Sequence, residues 1–271
     1  MKKIIFLALI AICISVIAPY KTYGADITVG ATTWYAFSEQ KNIQGKGSTG
    51  MLGDSIVESD PGFLYGPTLA VRLSNNFNLT FVYLYGNFVT IVKDGTGWKS
   101  RSKYSRSDSD LALNYRLGDY FKVFAGAKYL AYNIAPYSTD SVSFMIANKG
   151  KDIDKHTSLG TGLGLSATYP LTENIFALGT VSGLYLFGKD KIGITNYGGG
   201  NYRSANLKYN EYGVNTNLSL AYYIAPASTV ISLGGRFQYL IADYKKNEIY
   251  LDSIQFTIYG VTLTATYTFS I

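Results

Sequence analysis

Cysteine and histidine are almost absent from this chain of 271 residues, which has one of each, Cys13 and His156. Cys13 lies in the apolar amino-terminal segment, so a processed chain has no disulfide, no thiolate nucleophile and no cysteine metal site. One histidine cannot form a nitrogen-rich metal site, and the acidic residues lack the spacing of a calcium loop. We therefore expect neither a metal nor another cofactor.

Charged residues are also scarce, at 15% of the chain against about 25% in soluble proteins. The formal net charge of +6 falls to +3 without residues 1–24, which hold three lysines and no acid. This small excess does not indicate nucleic-acid binding. Tyrosine and glycine are abundant, at 25 and 28 copies, which is typical of a membrane β-barrel. No low-complexity linker or break in composition indicates a second domain.

The amino terminus has the three regions of a secretory signal. Lys2 and Lys3 precede an apolar run that ends near Ala18, and small residues follow at 22–25. The run is shorter than the roughly 20 apolar residues that a membrane-spanning helix needs. We expect a signal peptide over 1–24 and one β-barrel domain over 25–271.

The final segment, 259–271, alternates strictly between two kinds of side chain. Because successive strand residues point to opposite faces, one face is apolar and the other has only Gly, Thr and Ser. A soluble sheet usually exposes Lys and Glu on its polar face. The alternation therefore predicts a wall with lipid outside and a crowded polar lumen inside.

The same pattern predicts nine further strands, of which 175–187 is apolar on both faces and leaves its facing open. Pro67 removes a ladder donor and predicts a bulge or a strand end. The nine segments are 26–37, 63–73, 78–86, 110–117, 122–132, 159–169, 175–187, 213–224 and 230–240.

Connections alternate between short turns, at 74–76, 118–119, 170–174 and 225–228, and long polar segments. The long segments are 38–62, 87–107, 133–157, 188–210 and 242–255. This layout predicts an all-β fold, an antiparallel transmembrane β-barrel of about ten strands (eight as the fallback), with short periplasmic turns and long extracellular loops.

Aromatic residues are expected at both membrane boundaries. The alternative is that tyrosine simply favours strands. The residues at the loop ends of the predicted strands are Tyr35, Phe37, Tyr83, Tyr85, Tyr129, Tyr239 and Tyr259, and those at the turn ends are Tyr115, Tyr169, Tyr222, Tyr267 and Phe269.

On these features the chain resembles the bacterial outer-membrane β-barrel superfamily over nearly all of its mature length. In that superfamily the last strand commonly ends in an aromatic residue, which the assembly machinery reads; here Tyr267 and Phe269 fit, whereas Ile271 replaces the terminal aromatic. The resemblance implies an outer-membrane location. It also implies three partners: outer-membrane lipid, lipopolysaccharide and the barrel-assembly machinery.

The predicted lumen has more cations than acids, and Asp108 is a further inward candidate. Such groups either pair and seal the barrel or line a water path that favours anions. Gly160, Gly162 and Gly164 would widen such a path or make room for large side chains opposite, among them Phe124, Leu130 or Tyr132. The lumen-lining candidates are Arg72, Asp110, Arg116, Lys122, Lys128 and Arg236.

The sequence-based hypothesis is a narrow porin-like passive channel for small solutes, not an enzyme. The alternative is a closed barrel that displays loops for adhesion or envelope integrity. A remote alternative is a surface protease, because paired acids and an Asp-x-His element resemble the omptins, which place that element in a different loop. Its candidate residues are Asp108, Asp110, Asp154 and His156.

The second polar segment is basic and contains Trp98. It suggests contact with phosphates of lipopolysaccharide or another extracellular acidic ligand, although a merely solvated loop is the simpler interpretation. Its basic residues are Lys93, Lys99, Arg101, Lys103 and Arg106.

Overall fold

In the computed structural model, alternating side chains build one antiparallel sheet that closes on itself. The structure describes residues 26–43, 56–93, 99–134, 154–195, 202–244 and 253–270. The predicted signal peptide and residue 271 lie outside them. No helix within these residues is long and apolar enough to cross a membrane.

Eleven strands form the sheet, and a single 3-10 turn, Ala225–Ala227, is the only helical element among the described residues. The strands are β1 Asp26–Ile43, β2 Ile56–Asp60, β3 Gly62–Arg72, β4 Phe77–Lys93, β5 Lys99–Leu117, β6 Phe121–Ile134, β7 Asp154–Pro170, β8 Ile175–Thr195, β9 Tyr202–Ile224, β10 Thr229–Tyr244 and β11 Ser253–Ser270.

The eleven strands occupy ten positions around the ring. β2 and β3 follow each other end to end, and both pair with β1 on one side and β4 on the other. β1 pairs with β11 along its whole length, from Asp26 opposite Ser270 to Ile43 opposite Ser253, which closes the ring. The predicted transmembrane barrel of about ten strands is confirmed, and closure leaves no open edge in lipid.

The predicted effect of Pro67 is wrong. β3 runs through Pro67, whose pairing with β1 is continuous, while pairing with β4 lapses only at Gly66 and Pro67. The register with β4 is the same on both sides of this gap, so no bulge forms. A proline removes one donor only, and the neighbouring ladder holds the strand. The break in this wall comes instead at Pro61, between β2 and β3.

Four short reversals lie at one end of the barrel, as predicted, and we call this the turn end and the opposite end the loop end. Two of them use the same device: the hydroxyl of Ser74 accepts from the backbone N–H of Phe77, at 3.1 Å, and that of Thr172 from Ile175, at 3.0 Å. Gly118 and Ser228 take left-handed conformations, with φ of 69° and 45°. Serine, threonine and glycine therefore make these turns tight.

The strands extend farther toward the loop end than the sequence predicted. β9 has 23 residues, whereas about 9–11 cross the hydrocarbon layer. The predicted polar segments 87–107 and 188–210 therefore contain long stretches of strand, and of the segment 133–157 the described residues 133–134 and 154–157 are also strand. These parts lack the apolar outer face by which the sequence identified strands.

Polarity inverts along several strands, most clearly along β9 and β11, whereas β1 and β5 keep polar inner residues such as Gln40 and Arg106 toward the loop end. Toward the turn end the outer face is apolar and the inner face is Gly, Thr, Ser and Asn. Beyond an outer aromatic row that includes Tyr35, Phe37 and Tyr259, the outer face becomes polar and the inner face apolar. The inner apolar cluster at the loop end comprises Leu130, Tyr132, Leu184, Leu186, Leu207, Tyr209, Leu240, Ala242, Tyr244, Ile254 and Phe256. The barrel is thus a membrane wall continued by a water-facing barrel with an apolar core.

β8, whose facing the sequence left open, follows this inversion. Val181, Tyr185 and Phe187 are exposed on the outer face, and Ser182, Leu184 and Leu186 are buried inside. Its inner face is apolar because it contributes to the loop-end core. The sequence therefore showed two apolar faces in a strand that has only one lipid-facing side.

Candidate functional site

A cluster of buried charges lies where the two halves of the lumen meet. Asp108 and Asp110 lie on the inner face of β5, and Lys128 lies on β6 directly opposite Asp110. The ammonium of Lys128 donates to Asp108, at 2.5 Å, and to Asp110, at 2.8 Å. Lys128 and Asp108 are 2% and 1% exposed, so both charges depend on these partners rather than on water.

Arg236 reaches this cluster from the opposite side of the ring. It lies on β10, five positions from β5 in a ring of ten, and its Nη2 lies 3.5 Å from Asp110 Oδ2 and 3.7 Å from Asp108 Oδ2. Its Nε donates to Asn215, at 3.1 Å, and its guanidinium lies over the Trp34 ring, 4.6 Å from the centroid. Three kinds of contact therefore fix one guanidinium across the lumen.

Arg106 makes a second link across the lumen. It lies on β5, is fully buried, and donates through Nη2 to Asp108, at 3.0 Å, and to the side-chain oxygen of Gln238 on β10. Its Nη1 donates to the Tyr132 hydroxyl, at 2.6 Å. We call the connected set the cross-lumen network: Arg106, Asp108, Asp110, Lys128, Arg236 and Gln238.

An aromatic layer covers the loop-end side of this network. Tyr132 on β6 stacks on Phe256 of β11, again the opposite strand of the ring, with centroids 5.4 Å apart and planes at 13°. His156 stacks on Tyr209 at 4.2 Å, and its Nδ1 lies 3.7 Å from Asp190, which accepts from the Tyr244 hydroxyl. Large flat rings from facing walls therefore occupy the lumen.

A buried carboxylate lies beside this layer. Glu211 is fully buried, and its Oε2 accepts from the Ser158 hydroxyl at 2.5 Å. Its other oxygen, the Tyr209 hydroxyl and the Nε2 atom of His156 are buried without a hydrogen-bond partner among the described residues. This is the least satisfied polar region of the described lumen.

The predicted lumen-lining residues fall into two groups. Asp110, Lys128 and Arg236 join the cross-lumen network. The other three lie near the turn end: Arg72 pairs with Asp26 at 2.6 Å, Arg116 pairs with Asp119 at 3.0 Å, and Lys122 is directly opposite Arg116. Arg72 and Arg116 are 61% and 49% exposed, so solvent screens their charge.

Several residues that the sequence assigned to loops lie in strands. Arg106 belongs to β5, and its buried side chain points away from any extracellular ligand. Asp154 and His156 belong to β7, and His156 is buried against Asp190. Of the other basic-segment residues, Lys93 lies on β4, and Lys99, Arg101 and exposed Lys103 lie on β5, whereas Trp98 lies outside the described residues.

No direct contact among the described residues joins Asp108 or Asp110 to His156. Asp108 binds Arg106 and Lys128, and Asp110 binds Lys128 and approaches Arg236. His156 contacts Asp190, which the sequence did not suggest as a partner. Ala112 and Asn114 were predicted to point inward, and side chains alternate along a strand. Arg106, which also has an even number, could therefore have been predicted to point inward from β5. The same alternation, continued along β8 and β9, could have identified Asp190 and Glu211 as inward-pointing residues.

The glycine row on β7 makes room for inner-face side chains. A Cβ atom at Gly164 would collide with the Phe124 ring, and one at Gly162 would lie 2.8 Å from Leu184. At Gly160 it would collide with the backbone of β8. Of the three large residues suggested from the sequence, Phe124 is therefore the one accommodated, and the row does not itself widen a passage.

Every wall position contributes at least one buried side chain to the level of the network and the layer above it. These side chains are at most 2% exposed in all cases: Trp34, Leu64, Leu84, Arg106, Lys128, Ser158, Leu186, Glu211, Gln238 and Ile258. Toward the turn end, by contrast, inner-face Thr, Asn and Gly residues are only partly buried. The described lumen is thus a small-residue vestibule on the turn side and a filled core on the loop side.

No protein-family model and no curated protein matches the sequence. Among solved structures, the chain is similar to the outer membrane protease OmpT from Escherichia coli, with TM-score 0.56 and 14% identity, over 93% of this chain and 99% of that one. The chain has the fold of a bacterial outer-membrane β-barrel. The fold predicted from the sequence is confirmed, and the predicted outer-membrane location is in keeping with it.

Two further structures align over most of this barrel with lower scores. The outer membrane protein OprG from Pseudomonas aeruginosa has TM-score 0.40 and 13% identity, over 92% of this chain and 97% of that one. The translocator domain of the autotransporter NalP from Neisseria meningitidis has TM-score 0.41 and 10% identity, over 95% and 92%. At these identities the likeness describes the fold alone.

Proposed function

We propose that this barrel is closed and non-conducting, and that its loop-end wall and rim are its working surface for adhesion or envelope integrity. The observation that carries the proposal is the cross-lumen network, in which Arg236 and Gln238 of one wall contact acids and Arg106 of the opposite wall. A water path would have to pass between groups already in hydrogen-bond or ion-pair contact.

The depth of filling supports the same proposal. Beyond the network, the stacked Tyr132–Phe256 pair and the loop-end apolar cluster extend the seal toward the loop end. Protein interiors packed in this way leave few voids larger than a water molecule. A passive channel would keep a wetted constriction rather than an apolar core beyond its charged residues.

The narrow passive channel remains a second candidate because the turn-side vestibule is lined by partly exposed Thr, Asn and Gly. In that case the network acts as a gate that opens by separating Arg236 from Asp110 and Asp108. The predicted anion preference would then come from Lys128, Arg106 and Arg236. A non-enzymatic role is part of both candidates.

Planar-bilayer recording separates the two. We expect the purified wild-type protein to be silent and an Arg236→Ala/Gln238→Ala variant to show discrete conductances, because both contacts from β10 are removed. Arg116→Ala is the matched control, since this exposed arginine pairs with Asp119 at the turn end. Each variant is first checked for folding by its heat-dependent gel migration.

Regular wild-type conductances with anion preference would contradict a closed barrel and support the passive channel. Silence of both the wild type and the β10 variant would show that the aromatic and apolar layers seal the lumen without the network. Closure would then stand, and its assignment to Arg236 and Gln238 would be wrong.

A further inference from the structure

Four lysines gather on the outer wall just beyond the aromatic row. Lys155 on β7 is the direct cross-strand partner of Lys191 on β8, and Lys189 on β8 is the direct partner of Lys208 on β9. Their neighbours along the chain, such as His156 and Asp190, are buried inside, so all four lysines point outward. We call these four residues the lysine patch.

Like charges placed directly opposite each other on a sheet are unfavourable, and here two such pairs are adjacent. Among the described residues, none of the four lysines forms an ion pair. Asp243 on β10 is the nearest acid on the outer face. It lies directly opposite Asn210, which is one same-face position from Lys208 on β9. The Asp243 side chain hydrogen-bonds Tyr212. Within the part of the chain that the structure describes, this wall therefore carries a local cationic surplus.

The patch borders the apolar band. Leu159 and Phe187 are direct partners and are 58% and 63% exposed; toward the turn end, they lie one same-face position from the level of Lys189 and two from that of the Lys155–Lys191 pair. Tyr185 follows, and its ring meets that of Phe187 edge-on at 5.2 Å. Same-face positions on a strand are about 7 Å apart, so the lysines lie about 7–14 Å beyond the exposed row, at headgroup depth above side chains that face acyl chains.

The other walls differ at this level. β1 and β2 carry Glu39 and Glu58 as direct partners, and Lys41 follows one same-face position beyond Glu39. On β5, exposed Lys103 lies opposite Val89 of β4 and is followed by Arg101, and Lys99 is the direct partner of Lys93 on β4, four same-face positions beyond exposed Tyr85. Directly paired lysines within two same-face positions of exposed rings therefore occur on β7, β8 and β9 alone among the described walls. An acidic soluble partner would use the charge but not the rings beneath it.

We propose that the lysine patch binds the phosphates of a phosphorylated, multiply acylated glycolipid of the lipopolysaccharide type, with the acyl chains against Leu159, Phe187 and Tyr185. Phosphate oxygens neutralise the paired lysines, and the apolar row keeps the lipid in contact. This site is independent of whether the lumen is open. It places the predicted lipopolysaccharide contact on β7–β9 rather than on the second polar segment.

The test is a titration of the purified barrel, in zwitterionic detergent, with fluorescent lipid A. The variant carries Lys155→Gln, Lys189→Gln, Lys191→Gln and Lys208→Gln, and the control carries Lys41→Gln and Lys103→Gln on other walls. We expect the four-lysine variant to bind about tenfold or more weakly and the control to bind like the wild type. Wild-type binding should weaken as salt rises.

Ligand variation distinguishes the chemistry. Dephosphorylated lipid A should bind the wild type only as weakly as intact lipid A binds the variant, and inorganic phosphate should not compete at matched concentration. Equal binding by wild type and variant, an equal loss in the control, or full competition by inorganic phosphate would overturn the proposal. If the fourfold variant does not show folded gel migration, Lys189→Gln/Lys208→Gln replaces it, with the same criteria.

Discussion

The guanidinium of Arg236 on β10 lies 3.5 Å from the carboxylate of Asp110 on β5, and these two strands face each other across a ring of ten. These two walls are far apart in the sequence, and the long side chain of Arg236 allows it to reach Asp110 across the ring. The same Asp110 is held at 2.8 Å by Lys128 of its neighbouring strand. These contacts therefore form a bridge that is anchored locally at Asp110 by Lys128 and reaches across the lumen to Arg236.

Asp108 should be the most sensitive residue of this bridge. Asp108→Ala leaves Arg106, Lys128 and Arg236 with fewer negative partners in a buried setting, and removing one member of a buried ion pair costs about 3–5 kcal/mol. The measurement is the free energy of unfolding in urea with lipid vesicles. Asp119→Ala is the control: its partner Arg116 is half-exposed, and such pairs contribute about 0–1 kcal/mol. Equal losses in the free energy of unfolding for Asp108→Ala and Asp119→Ala would contradict the burial of the network.

The polarity inversion locates the membrane boundary on a single strand. Leu263→Arg, on the outer face of β11 within the apolar band, should cost about 2–4 kcal/mol of folding free energy in lipid, because it places a charge in hydrocarbon. Gln255→Arg, on the same face beyond Tyr259, should cost about 0–1 kcal/mol. The same urea titration measures both. A similar cost at both positions would mean that hydrocarbon extends to the loop end.

The glycine row offers a packing test with a matched control. Gly164→Ala drives a methyl group into Phe124 and the backbone of Val181 and should destabilise the barrel by about 1–3 kcal/mol. Gly183→Ala places its methyl group in open space on the outer face, so it should be neutral or slightly stabilising. Thermal loss of the fast-migrating folded form in gels reports both. Destabilisation by Gly183→Ala alone would contradict this packing.

Glu211 should be a residue whose charge is unfavourable for folding. It is fully buried, it accepts from Ser158, and within the described chain it forms no ion pair. Glu211→Gln keeps an oxygen for Ser158 and removes the charge, so the free energy of unfolding should rise by about 1–3 kcal/mol. Gln238→Glu, which adds a charge to the same lumen, serves as the comparison. A fall in stability on Glu211→Gln would indicate that the carboxylate has a function requiring its charge.

Much of the membrane wall followed from local sequence. Alternation in segments such as 259–271 depends only on lipid outside and crowding inside, and the predicted facing agrees with the burial of most described strand residues. Ala131, predicted to face outward, is only 5% exposed, and Ile271 lies outside the described residues. The strand ends did not follow, because beyond Tyr259 and Phe37 the outer face meets water and loses its apolar signature. His156 and Arg106 were assigned to loops for the same reason.

The pairing within the lumen was beyond local sequence reasoning. That Lys128 faces Asp110 depends on the register of β5 with β6, which single-strand alternation does not fix. That Arg236 meets the same aspartate depends on ring size and strand stagger, since only the closed ring brings β10 opposite β5. The sequence thus supplied the charged groups and left their partners open.

Closure of the ring has a kinetic consequence. Until β1 pairs with β11, the walls carrying Arg236 and Asp110 are not held at a fixed separation, so their bridge is a late event in assembly. An intermediate in which all ten walls are joined but this seam is unformed leaves Arg236 without Asp108 and Asp110, and Arg106 without Gln238. Pairing of the last strand with β1 therefore determines when the buried charges acquire all of their partners. Bridge-residue variants that fold slowly should accumulate as intermediates in which this seam has not yet formed.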